Sequence, residues 1–213
     1  MSISIDQPAP DFSLPADDGS VFSLGGYLAA SKLSGNLKAR VLLVFYPADE
    51  SPVCTAQLCE YRDEIDEFKG LNATIIGISA QDSASHVKFK QKRNLPFTLL
   101  SDKGLQVAKL YGAKGLLGMK RATFLVDADG ILRYQHVEAT ALFRRTAEQL
   151  VDVLKQLDSS GSPDRRDLPD VSPDRRDMLG VSPDRRDLSD VSPDRRDLSG
   201  VSPDRRDSAQ NVE

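Results

Sequence analysis

Two cysteines, Cys54 and Cys59, are the residues of this chain best suited to covalent chemistry. They share one segment, Pro47-Ala-Asp-Glu-Ser-Pro-Val-Cys54-Thr-Ala-Gln-Leu-Cys59. Ser51-Pro52 is a helix start, with serine as N-cap and proline in the first turn. Cys54 then falls in that first turn, where unpaired backbone N–H groups and the positive end of the helix dipole favour a thiolate over a thiol. Helix-start cysteines have pKa values well below the free value of about 8.5, and the thiolate is the nucleophile. Cys54, Leu58, Tyr61, Ile65 and Phe68 recur at helical spacing, so Cys54 belongs to a core-facing stripe, while Cys59, Arg62, Asp63 and Asp66 lie on the polar side. The first sulfur is expected to be sheltered and the second nearer water.

The spacing narrows the chemistry without closing it. Five residues along an intact helix set the two Cα atoms roughly 8.6 Å apart, and a disulfide needs less than about 7 Å. A bond between them requires the helix to unwind around Cys54. The cysteines also suit an inert role, since free cysteine is among the most buried of side chains. Zinc is a poor fit, because the other soft ligands, His86 and His136, complete no common zinc spacing. Each histidine reads as a surface or internally satisfied side chain. A papain-like Cys–His pair stays open on spacing alone, although neither histidine stands in a recognisable motif. A thioredoxin-type reductase motif is absent: its cysteines are separated by two residues, and here four intervene.

The elements that must position this segment follow from hydrophobic patterning. Arg40–Tyr46 and Ala73–Ser79 are β-branched and continuously apolar, as expected of strands buried on both faces. Thr123–Val126 and Ile131–Val137 flank Asp127-Ala-Asp-Gly130 and predict an antiparallel hairpin. Phe97–Leu100 is a weaker strand. Helices are predicted from Ser51-Pro52 to about Lys69, over Ser83–Asn94, over Leu105–Tyr111 and over Thr140–Leu157. Gly25–Asn36 reads as a surface loop. Strands alternating with helices, followed by a hairpin and a last helix, predict an α/β fold with a mixed central sheet, in an order that fits a thioredoxin-like layout.

The chain has 213 residues, 39% of them apolar, and a net charge of −4. This balance argues against a nucleic-acid binder and a polybasic membrane anchor. The longest apolar run, Val41–Tyr46, is far short of a membrane span. Met1–Phe12 has neither a basic head nor an apolar core, so no export signal is visible, and a cytoplasmic protein is expected. In such a reducing compartment the cysteines are poor candidates for a structural staple.

From Ser162 the motif Ser-Pro-Asp-Arg-Arg-Asp recurs at Ser172, Ser182, Ser192 and Ser202. The copies are charge-neutral and too poor in apolar residues to offset the entropy of ordering the chain. A domain over residues 1–158 and a largely disordered tail over 159–213 are expected. The tail is either a tolerated tandem duplication or a docking or phosphorylation arm.

Taken together, Pro47-Ala-Asp-Glu-Ser51-Pro-Val-Cys54 resembles the peroxiredoxin pattern of proline, three residues, threonine or serine, two residues and cysteine. Cys59 resembles the resolving cysteine of the peroxiredoxin Q subfamily, also called bacterioferritin comigratory protein. Pro8–Leu14, Leu95–Asp102 and Arg121–Gly130 are similar to segments of that subfamily, so the resemblance spans about residues 3–157. It implies a thioredoxin-like fold and a thioredoxin-dependent peroxidase acting on hydrogen peroxide and organic hydroperoxides. Cys54 would attack the peroxide and become a sulfenic acid, and Cys59 would close an intramolecular disulfide for a thioredoxin to reduce. Pro47 would shield the thiolate, Ser51 would hold the peroxide oxygens, and Arg121 would stabilise the sulfur and the leaving oxygen. No cofactor or metal is implied, and an intramolecular disulfide needs no second subunit, so a monomer is expected. Val53 stands where the subfamily often has glycine, which is expected to stiffen the turn before Cys54. A different class, a redox sensor or interaction protein whose cysteine helix unwinds on oxidation, shares the same first chemical step. A plain thiol–disulfide oxidoreductase is disfavoured by the cysteine spacing.

Overall fold

A computed structural model describes residues 3–138 and 143–160. The chain divides into Met1–Val181 and Ser182–Glu213, and the second unit lies wholly outside the described residues, as do the predicted tail repeats. The central sheet comprises β3 (Arg40–Phe45), β4 (Ala73–Ser79), β5 (Thr98–Ser101), β8 (Ala122–Val126) and β9 (Leu132–Val137), in the order β5-β4-β3-β8-β9. β3, β4 and β5 are parallel, whereas β8 runs antiparallel to β3, and β9 to β8. It is the mixed sheet of a thioredoxin-like fold.

Helices cover both faces, which explains the unbroken apolar runs. Along β3 and the residue after it, Leu42, Val44 and Tyr46 join one core with Cys54, Leu58, Tyr61, Phe89 and Leu154, while Val41, Leu43 and Phe45 join the other with Leu24, Leu28, Tyr111 and Phe124. The covering elements include α2 (Pro52–Asp63), α3 (Ile65–Gly70), α4 (Ser83–Arg93), α5 (Gln106–Leu110) and α6 (Ala147–Ser160). Gly77 on β4 is required by this packing: a Cβ there would lie 2.6 Å from Leu99 Cδ2.

Three elements depart from the sequence expectation. Gly25–Asn36 is not simply a loop: α1 spans Leu24–Leu33. Ser23 caps it by accepting from the Gly26 N–H at 3.2 Å, and Leu24 and Leu28 are buried beneath it. Core packing outweighs the cost of Gly25 and Gly26 in a helix. The predicted helix from Ser51-Pro52 to Lys69 is two helices, because Glu64 leaves helical geometry at φ −100°, ψ 18°. Both pieces still bury the predicted stripe, and Phe68 packs edge-on against Tyr61 with ring centroids 5.9 Å apart.

The helix predicted from Thr140 begins at Ala147 instead; residues 139–142 lie outside the described residues. Its start is a reciprocal capping box, in which Thr146 Oγ1 accepts from the Gln149 N–H and Gln149 Oε1 accepts from the Thr146 N–H. The sheet also has two small neighbours that periodicity did not reveal. These are the hairpins β1 (Ser13–Pro15) with β2 (Val21–Ser23), and β6 (Lys114–Gly115) with β7 (Gly118–Met119).

Candidate active site

The site forms where β3 ends and α2 begins. Register places it: Phe45 pairs with Ala122, so Arg121, immediately before β8, is brought level with the chain as it leaves β3. Ser51 is the N-cap of α2, its hydroxyl accepting from the Cys54 N–H at 3.4 Å, and Pro52 occupies the first turn. Cys54 is fully buried, and Cys59, one and a half turns on, is half-buried. Both are free thiols in an intact helix, the first sheltered and the second nearer water, as the helical spacing requires.

Arg121 is 2% exposed, and its Nη2 donates to Cys54 Sγ at 3.3 Å. A buried guanidinium needs anchoring, and Gln57 provides it: Arg121 Nη1 donates to Gln57 Oε1, and Gln57 Nε2 donates to the Tyr61 hydroxyl at 2.8 Å. Tyr61 in turn donates to the Arg145 carbonyl at 2.6 Å, just before α6. Burial pushes the Tyr61 hydroxyl far above the usual phenol range, so it stays a donor. Fixed positive charge therefore lies against a sulfur in the first turn of α2, at the positive end of the helix dipole, an arrangement that stabilises negative charge on that sulfur.

Gln57 is a residue of this site that sequence reasoning missed. Its signal was its position, three residues after Cys54 and four before Tyr61, which makes it a polar residue on the apolar face. Pro47, partly buried, lines a cavity together with Arg121. Cys59 faces elsewhere and accepts from Arg62 Nη1 at 3.7 Å.

The loop between Pro47 and Ser51 is held by Asp49, whose carboxylate accepts from the Tyr46 hydroxyl at 2.8 Å and the Ser85 hydroxyl at 2.7 Å, and faces His86 Nδ1 at 3.0 Å. Burial pushes the Asp49 carboxyl up, but hydrogen bonds from His86 and Ser85, with the attraction of His86 and a bond from Tyr46, outweigh it and hold the group below the usual range. His86 is the internally satisfied histidine predicted: it is fully buried, and its Nε2 donates to the Leu100 carbonyl at 3.2 Å. His136 bonds Arg145 and Glu138 and lies in no Cys–His pair. Among the described residues no group of three metal-ligating side chains is assembled. Among them, too, no helix is long and apolar enough to cross a membrane.

A thioredoxin-like sheet here carries a buried helix-start cysteine against a buried arginine, a thiol site on a thioredoxin-like fold, and the comparisons name its family. Residues 5–135 match the AhpC/TSA family, and the chain belongs to it, within the peroxiredoxin Q/Bcp subfamily. It is 44% identical over 135 residues to "Peroxiredoxin Q, chloroplastic" of Oryza sativa subsp. japonica, covering 62% of this chain and 58% of that protein. It is 40% identical over 140 residues to "Putative peroxiredoxin bcp" of Coxiella burnetii, covering 62% of this chain and 87% of that protein. The chain thus spans somewhat over half the length of the rice relative. Among solved structures, peroxidoxin BcpB of Mycobacterium tuberculosis superposes with a TM-score of 0.62 at 30% identity, covering 72% of this chain and 97% of that one.

Proposed function

We propose that this chain is a thiol peroxidase that reduces hydrogen peroxide and organic hydroperoxides, with Cys54 as the attacking residue and Cys59 as its partner. The Cys54 thiolate attacks one peroxide oxygen, the O–O bond breaks, and the other oxygen leaves as water or alcohol after taking a proton. Cys54 is then a sulfenic acid. Cys59 attacks that sulfur, water leaves, and a Cys54–Cys59 disulfide forms. A thioredoxin or similar dithiol returns both thiols and is itself oxidised to a disulfide, so that two electrons pass from dithiol to peroxide.

The observation that carries the reading is the Arg121 Nη2 to Cys54 Sγ contact of 3.3 Å inside a water-excluding core. Such a donor supports both the thiolate and the charge that moves onto the departing oxygen. Ser51, whose hydroxyl accepts from the Cys54 N–H at the helix N-cap, is the side chain we assign to the peroxide oxygens, and Pro47 to shielding the thiolate. A monomer suffices for an intramolecular disulfide, and a cytoplasmic setting, where dithiols are kept reduced, suits the cycle.

Stopped-flow peroxide consumption by wild type, Cys54→Ser and Cys59→Ser tests the scheme. Cys54→Ser abolishes reaction. Cys59→Ser keeps one rapid oxidation but loses turnover with thioredoxin. Equal rates in all three refute it. Peroxide oxidation without turnover by any dithiol in the wild type favours the sensor reading instead.

A further inference from the structure

Cys59 has a charged neighbour that the attack on peroxide does not use. Arg62, one turn further along α2, donates from Nη1 to the Cys59 sulfur at 3.7 Å and from the same nitrogen to the Arg93 carbonyl, at the end of α4, at 2.6 Å. Its Nε and Nη2 lie against Asp63 Oδ1 at 2.8 and 2.7 Å. The Arg62 side chain is 30% exposed and that of Asp63 61%, so solvent screens the ion pair between them. Nη1, on the other edge of the fork, sits between a sulfur and a backbone carbonyl.

The two halves of α2 are held differently. Cys59 and Arg62 are three residues apart and share a helix face. Around them the helix is pinned: Arg62 to α4 through the Arg93 carbonyl, Glu60 to α6 by accepting from the Ala147 N–H at 2.7 Å, and Tyr61 by full burial. At the other end the Ser51 hydroxyl is 3.4 Å from the Cys54 N–H. Before it stands Glu50 at φ 58°, a left-handed conformation uncommon for a residue with a side chain, kept there by Lys92 and Arg93 at 3.0 Å each. Arg93 thus meets both cysteine segments, Glu50 through its side chain and Arg62 through its carbonyl.

We propose that Arg62 is a catalytic residue of the second chemical step, holding the Cys59 sulfur in place and stabilising it as the thiolate that attacks oxidised Cys54. Unwinding is confined to the N-terminal half of α2, so Cys54 moves to a stationary Cys59 while Arg62 stays against the attacking sulfur. Cys59 gives its proton to solvent, the S–S bond forms as the S–O bond of the sulfenic acid breaks, and the departing hydroxide takes up a proton and leaves as water. A cation beside the sulfur favours the thiolate, which is the nucleophile. A thiolate fraction enlarged about tenfold gains only about threefold in rate, because a stabilised thiolate is a weaker nucleophile. This rests on the peroxidase reading and adds to it the residue that serves disulfide closure.

The test mixes the reduced full chain with one equivalent of hydrogen peroxide, quenches with acid at intervals, and counts sulfenic acid and disulfide by intact mass. In Arg62→Met, shown folded by a thermal melt, the rate of disulfide closure relative to that of the first oxidation falls about threefold at pH 7. The deficit vanishes by about pH 9.5, above the free-thiol value of about 8.5, where the thiol ionises unaided. Arg62→Lys keeps the charge and closes faster than Arg62→Met at pH 7. Closure at the wild-type rate in Arg62→Met, an equal fall in both steps, or a deficit of the same size at every pH from about 6.5 to 9.5 overturns the proposal. The last result would mark Arg62 as a structural clamp alone. Each of these sinks this inference by itself, whereas a wild type that forms the sulfenic acid but no Cys54–Cys59 disulfide sinks the assignment of Cys59, and one that does not react with peroxide sinks the peroxidase reading beneath both.

Discussion

Replacing Arg121 by methionine removes the donor while keeping much of the buried volume. With a charged sulfur 3.3 Å from Nη2, an effective dielectric of about 20 gives an attraction of roughly 5 kcal/mol, an upper bound on what is lost. Loss of one preorganised donor elsewhere costs about 100- to 1,000-fold in rate, or about 3–4 kcal/mol, and the full burial of this contact places the variant in that range. The assay is the second-order rate constant for peroxide consumption in a single turnover, with a thermal melt to show that the variant is folded. Arg121→Lys recovers part of the rate, since an ammonium keeps the charge but lacks the fork that bonds Gln57 and Cys54 together. Gln57→Leu removes one bond that orients the guanidinium and costs about tenfold, less than removing the guanidinium itself. A folded Arg121→Met variant within threefold of wild type would refute the electrostatic argument.

Asp49→Asn exchanges an acceptor of three hydrogen bonds for a mixed amide and destabilises the protein by about 1–3 kcal/mol at neutral pH, read by urea melts. Because the folded Asp49 pKa is depressed, its contribution is complete above the unfolded value of about 3.9 and is lost as pH falls through the folded pKa. The gap between wild type and variant therefore closes below about pH 4, and a gap that widens there contradicts the assignment. Gly77→Ala drives a methyl to 2.6 Å from the buried Leu99 and costs about 1–3 kcal/mol, measured as a lower denaturation midpoint. Ser51→Ala removes the α2 cap and lowers stability by about 1 kcal/mol, and it slows peroxide consumption if the hydroxyl also contacts substrate.

The elements legible in the sequence are those whose burial is written in composition. β3 and β4 are covered on both faces, so Val41–Phe45 and Ile75–Ile78 carry no polar side chain, and the cysteine stripe repeats at helical spacing whether or not the helix breaks at Glu64. Cys54, Ser51 and Arg121 came from local signals and resemblance, and β3–β8 register then brings the arginine to the helix start. What stayed hidden depends on distant partners. α1 carries two glycines and is held by Ser23, by Asp11 accepting from the Gly25 N–H, and by a core assembled from other elements. Gln57 matters only because Arg121 lies across from it, 64 residues away in sequence. Asp49 and His86 meet across 37 residues, and nothing local pairs them.

On the proposed reading, α2 faces two opposed requirements. It must hold Cys54 against Arg121 for attack, yet a Cys54–Cys59 bond cannot form while the helix is intact, because roughly 8.6 Å between Cα atoms exceeds the reach of a disulfide. The chain of bonds from the sulfur through Arg121, Gln57 and Tyr61 to the Arg145 carbonyl resists unwinding. So does Glu60, which accepts from Arg144 and from the first N–H of α6 at 2.7 Å. The chemistry itself relieves part of that hold. Attack converts a charged sulfur into a neutral sulfenic acid, and the guanidinium then loses the charge that made the contact strong. The reaction that creates the need for movement thus weakens the interaction opposing it, and the Ser51 cap, already long at 3.4 Å, is a weak first turn from which to unwind.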